Sequence, residues 1–250
     1  SAASDVYKRQ NFSTIKDVAS QNNLIMKKGL QDNDGDKKDS SNLVGRKILD
    51  SEEALDHFYL NESAYTIFNK DKIHRPRNPE IYKAPYVLFK KGLDCADYSI
   101  RAVYTESDFL YRETINCIKG SEKDKKTLLN LCGLLNSSLF SYFNLMLGSS
   151  TGIEREQIFL EELGNYPYVY NDELVELVEK MQREEWGKNR NELQVALNQC
   201  VMRMYGLQDN YFVDYALSIQ IPMLCGTYQE TKCDAKTMKK YVSVSYTHLT

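Results

Sequence analysis

His57, His74 and His248 are the only histidines, and the six cysteines, Cys95, Cys117, Cys132, Cys200, Cys225 and Cys233, never fall at C-x-x-C spacing. A zinc site needs about four such ligands converging, so no metal centre is expected. Irregularly spaced cysteines in a chain this long fit reduced, buried thiols and a cytoplasmic location. His57 stands beside Asp56 and near Glu53, a pattern that general acid–base chemistry can use, but no nucleophile accompanies it in a recognisable setting. Glu52–Tyr59 reads instead as a short amphipathic helix with His57 solvated or capping. Gly148-Ser149-Ser150-Thr151-Gly152 offers backbone N–H groups and hydroxyls to an anion but lacks the Lys-Ser/Thr of a phosphate-binding loop. No catalytic residue and no bound cofactor are assigned to this chain.

Charge is more informative. Between Ile67 and Gly92, Lys70, Lys72, Arg75, Arg77, Lys83, Lys90 and Lys91 oppose only Asp71 and Glu80, a local balance of +5 in a chain of net charge -3. Such a stripe, with His74, Tyr82 and Tyr86 interleaved, suits phosphate contacts beside a surface that reaches base edges. By charge alone, an ordinary solvated face is the competing explanation. The 18 tyrosines fit core and edge packing better than stacking platforms.

The stripe needs a frame. Tyr86-Val87-Leu88-Phe89 is the clearest strand, closed by a Lys90-Lys91-Gly92 turn, and Ile100–Tyr104 alternates as a hairpin partner. Asp32–Ser41 reads as a solvated loop. Leu128 to Leu147 carries no charge, yet Asn130, Asn136, Ser137, Ser138, Ser141 and Asn144 would all need partners in lipid, so a buried helix is expected rather than a membrane span. Asn171 or Asp172 caps a helix with the stripe Leu174, Leu177, Val178 and Met181. A second helix carries Leu193, Ala196, Leu197, Cys200, Val201 and Met204 and stops at Gly206, and a third runs from about Asp209 to just before Pro222.

At 250 residues, 42% hydrophobic and 27% charged, the chain has a soluble composition that excludes global disorder and a polytopic membrane protein, and its strands followed by a helical tail read as α+β. Ser1–Gln10 and Val244–Thr250 resemble translated sequencing-adapter remnants, which implies a piece cut from a longer reading frame, with both ends outside the fold.

Three segments together resemble the C-terminal target-recognition region of adenine-specific DNA methyltransferases and type IIG restriction–modification enzymes, the Taq-like specificity domain. They are His74-Arg75-Pro76-Arg77 leading to Ile81–Lys90; Leu134-Leu135-Asn136-Ser137-Ser138 through Phe143 with the glycine loop, Arg155 and Leu163 to Pro167; and Leu197 to Met204-Tyr205-Gly206-Leu207. The resemblance spans Phe12 to Pro222. Asn165-Tyr166-Pro167-Tyr168 is superficially similar to the Asn-Pro-Pro-Tyr loop of amino-methyltransferases, but Tyr166 replaces the first proline and no Gly-rich loop precedes it, so it reads as a turn.

The resemblance implies a mixed strand-and-helix recognition domain over residues 11–170, a helical extension over 171–226 and the start of a truncated segment over 227–243. It implies duplex DNA as partner, held by Lys72, His74, Arg75, Arg77, Lys83, Lys90, Lys91 and Arg155. S-adenosylmethionine and the flipped adenine would belong to an upstream methyltransferase domain of the same parent chain. The alternative is a non-enzymatic interaction module, either a DNA-specificity subunit or a protein-binding domain.

Overall fold

The computed structural model describes residues 12–32, 35–49, 53–150, 156–183 and 188–230. The two adapter-like ends, Arg155, Gly152, Gly187 and Cys233 lie outside these residues. The fold is α+β.

Its frame is one antiparallel sheet of β1 (Ile25–Lys28), β2 (Tyr86–Lys90), β3 (Ala102–Thr105) and β4 (Ile115–Lys119), in the order β3-β2-β4-β1. The unbroken apolar run in β2 follows from burial on both faces. Val87 and Phe89 point with Ala102, Tyr104 and Ile118 into a helical layer. Tyr86 and Leu88 point with Val103, Ile115 and Cys117 into a layer of short ribbons. The expected partner strand is β3, with Ala102 opposite Phe89, although residues 91–101 make the connection longer than a tight hairpin.

The ribbon layer consists of three antiparallel pairs: Lys38–Asp39 with Lys72–Ile73, Lys47–Leu49 with Tyr65–Ile67, and Leu55–Asp56 with Tyr59–Leu60. The last pair replaces the helix expected over Glu52–Tyr59. His57 and Phe58 form its turn, Phe58 takes φ 54° and its buried ring joins the core, so tertiary burial overrides local periodicity.

The helical layer begins with α1 (Ile15–Gln21), whose Thr14 and Asp17 form a reciprocal capping box. The uncharged segment forms two helices instead of one, α2 (Lys125–Leu135) and α3 (Ser138–Leu147), broken at Asn136-Ser137. The break has a cause. Asn136 Nδ2 donates to the Ala102 carbonyl at 2.8 Å and its Oδ1 accepts the Ala102 N–H at 3.1 Å, while Ser137 Oγ donates back to Leu134 O at 2.7 Å. Asn130 and Asn144 clamp other backbone groups, at Val169, Asn171 and Tyr98. Asn136 thus fastens the helices to the sheet, and Asn130 and Asn144 fasten them to neighbouring connections. Among the described residues no helix is long and apolar enough to cross a membrane.

Then come α4 (Asp172–Arg183) and α5 (Lys188–Met204). Asn171 Oδ1 accepts the Glu173 N–H at 2.7 Å as the expected cap, and Leu174, Leu177, Val178 and Met181 are buried against the same core as the sheet. The final helix differs from expectation. Tyr211–Tyr215 continues through a π-helical turn, Ala216–Gln220, into Ile221–Glu230, so Pro222 lies inside the helical run. The wider turn just before it makes room for a proline ring that would clash with a regular preceding turn.

Candidate nucleic-acid interface

Strand register, rather than sequence proximity, decides which cations meet. Lys28 ends β1 opposite Asn116, and Lys90 ends β2 opposite Ile115, so both lie at one end of the sheet. Lys91 follows there, its N–H bound to Thr114 O. The chain leaving β1 stays at this end: Gly29 N–H bonds to Ile115 O, Leu30 to Tyr111 O, and Gln31 exchanges two backbone bonds with Arg75. A Cβ on Gly29 would sit 2.2 Å from Tyr111 O, so only glycine permits that approach. Arg77 reaches the same point, its Nε donating to Gly29 O at 3.1 Å. It does so from a left-handed backbone, φ 64°, uncommon for a residue with a side chain.

Asp32 is the hub of this end. Only 7% exposed, it bonds Lys70 at 2.8 Å and Arg112 at 2.5 Å, and Lys37 donates to its backbone oxygen. Burial by itself raises the Asp32 carboxyl, but hydrogen bonds and charge from Lys70 and Arg112 outweigh it and hold the group below its ordinary range. The supposedly solvated loop Asp32–Ser41 is thus anchored at its first residue and carries a strand at Lys38–Asp39.

The predicted stripe is divided. Arg75, Arg77, Lys90 and Lys91 meet at the Gly29 end, where Lys28 and Arg112 join them. Lys72 is exposed on the Lys72–Ile73 ribbon strand opposite Asp39. His74 is half-buried, its Nδ1 3.4 Å from Asp36 O and its ring packed on Gly35. Lys83 lies at the other end of β2. It is paired with Glu80 at 2.8 Å, and Lys119, which closes β4 opposite Tyr86, donates to its carbonyl. Lys83, Lys119 and Arg46 together hold Glu80 below the usual carboxylate range, Lys83 most strongly. Arg155 is outside the described residues.

The interleaved tyrosines do not face outward. Tyr82 and Tyr86 are fully buried, with hydroxyls donating to Pro76 O and Ser107 O, and both rings pack edge-on against Tyr111. Burial raises both phenols. They support the ribbon layer and cannot stack on bases. Cys117, Cys132, Cys200 and Cys225 are buried thiols as expected, whereas Cys95 is exposed. Burial pushes the Cys132 thiol up to about 12. Among the described residues no group of His, Cys, Asp or Glu is arranged to hold a metal ion.

Sequence reasoning missed Lys28, Arg112 and the buried Asp32. Lys27-Lys28-Gly29 was a visible signal, since a glycine after two lysines marks a close backbone approach once β1 is recognised. Nothing local ties Arg112 or Asp32 to the stripe.

No known family profile matches the chain, and no curated protein matches it. Among solved structures, the type IIL restriction–modification enzyme MmeI in complex with DNA is similar over 59% of this chain and 21% of that one, at 15% identity and a TM-score of 0.40. The present chain spans about a fifth of that enzyme's length.

Proposed function

We propose that this chain is the DNA target-recognition module of an adenine-specific DNA methyltransferase or restriction–modification enzyme. The observation that carries the reading is the convergence of Lys28, Arg75, Arg77, Lys90, Lys91 and Arg112 at one end of the sheet. It adds to the motif resemblance of His74–Lys90, Leu134–Pro167 and Leu197–Leu207. In this reading the lysines neutralise phosphates, and Arg75 or Arg77 turns toward base edges, where an arginine forks onto a guanine. The methyl donor and the flipped adenine are held by the upstream domain of the parent, and the whole works in the cytoplasm. The chain alone then binds DNA without methylating it.

Salt-dependent binding tests this directly. With about four phosphate contacts, the logarithm of affinity for duplex DNA falls with the logarithm of salt at a slope of roughly -3 to -4, since each contact contributes about -0.9. A flat profile at low ionic strength removes the reading. One feature favours a second reading, a protein-binding module using the helical tail: Tyr211, Phe212, Tyr215 and Ile219 are exposed on its outer side. The same titration separates the two.

A further inference from the structure

The sequence places no nucleophile beside His57, but the fold does. Ser99 arrives from the connection between β2 and β3 with its Oγ 3.1 Å from His57 Nε2, and Nδ1 of the same ring lies 2.8 Å from Asn136 Oδ1. Asn136 decides the tautomer. Its Nδ2 donates to the carbonyls of Ala102 and Cys132, and its Oδ1 accepts the Ala102 N–H, so the amide cannot be reversed without breaking these bonds. The atom facing His57 is therefore a carbonyl oxygen, which only accepts. Nδ1 must carry the proton, leaving the Nε2 lone pair for the Ser99 hydroxyl. These are the roles of nucleophile, base and orienting group in a hydrolytic triad.

Two independent features surround this arrangement. The three residues line a cleft of about 360 Å³ that Ser138 and Asn198 also line. Asn198 Oδ1 accepts from Ser138 N–H and Gln194 Nε2, which leaves its Nδ2 without a protein acceptor among the described residues. The backbone is also unusual beside both reacting groups. Phe58 follows His57 at φ 54° and Tyr98 precedes Ser99 at φ 57°, each a buried aromatic in the left-handed region. That conformation is strained for an L-residue, and such residues cluster where a side chain must be held in one working position.

We propose that this cleft is a nucleophilic centre, separate from DNA reading, in which Ser99 attacks small uncharged acyl esters. The volume limits the acyl group, Met181 and Leu217 give it apolar contact, and Asp97 and Arg190, opposite in charge and both in the lining, leave no net charge to draw a charged guest. As the Oγ–carbon bond forms, the hydroxyl proton passes to Nε2. It then leaves with the alkoxide as the ester C–O bond breaks. Water then attacks the acyl carbon as it gives a proton to Nε2, and the ring passes that proton to Ser99 Oγ as the acyl–Oγ bond breaks, so ester and water become acid and alcohol.

The test treats the full chain with a small fluorophosphonate, whose P–F bond breaks as the Ser99 Oγ–P bond forms, and maps the adduct by peptide mass. A single adduct on Ser99 is expected, absent in Ser99→Ala and slowed at least about 100-fold in His57→Gln, the usual size of a general-base contribution. Release of p-nitrophenol from p-nitrophenyl acetate should fall in parallel. Labelling of Ser99 no faster than that of surface serines overturns the proposal, as does a rate unchanged in His57→Gln. The wild-type comparison with surface serines decides the matter even where a variant fails to fold.

Discussion

Arg77 combines a costly backbone with a useful side chain, and the two can be separated. A left-handed non-glycine residue costs about 1–2 kcal/mol, and the Nε bond to Gly29 O returns part of that cost. Arg77→Gly relieves the backbone while losing the bond; Arg77→Ala loses the bond and keeps the strain. The alanine variant should therefore be the less stable of the two by about 1 kcal/mol in urea unfolding, the reverse of the order in a helix or strand. Both variants should bind DNA more weakly. Asp32 gives a pH signature. Its folded carboxyl lies below the ordinary range, so its stabilisation is complete above the unfolded value near 3.9 and is lost as pH falls through the lower folded value. Asp32→Asn should cost about 1–3 kcal/mol at neutral pH and flatten the decline of the melting temperature below about pH 4. None of this was legible in the sequence, where Asp32 opens a run of loop residues and its partners lie 38 and 80 positions away.

Elements were legible where the local residue pattern alone determines them. The stripe Leu174, Leu177, Val178 and Met181 predicts α4 because helical period and burial agree, and Tyr86–Phe89 predicts a doubly buried strand because no polar residue interrupts it. The segment 128–147 defeated the same reasoning, since buried polar clamps, rather than periodicity, set its break. Gly133 records how closely these helices approach: a Cβ there would lie 2.8 Å from Leu174 Cδ1 and Val178 Cγ2. Helix propensity favours Gly133→Ala by about 1 kcal/mol, but overpacking costs about 1–3 kcal/mol. Packing should win, with a lower denaturant midpoint at unchanged m-value, because the substitution disturbs the α2–α4 contact without changing the surface that unfolding exposes.

For the whole molecule, the sequence identified an excess of positive charge but not its layout. Lys83 and Lys90 look like neighbours on one stripe, yet β2 runs between them. At about 3.4 Å per residue that strand carries the chain about 14 Å from Tyr86 to Lys90. Lys83 is also held by Glu80, whereas at the Gly29 end Asp32 is already neutralised by Lys70 and Arg112. A duplex drawn to the larger gathering of cations should sit at the Gly29 end. Replacing Lys28 and Lys91 together by glutamine should then lower the salt slope by about two units on every DNA sequence, since each lost phosphate contact removes about one. The same double replacement of Lys83 and Lys119 should leave the slope unchanged. Fluorescence anisotropy of a labelled duplex across a salt series measures both. Equal losses from the two pairs would mean that the duplex lies along β2 and contacts both ends. A loss confined to Lys83 and Lys119 would place it on the Glu80 side, away from the larger cation cluster.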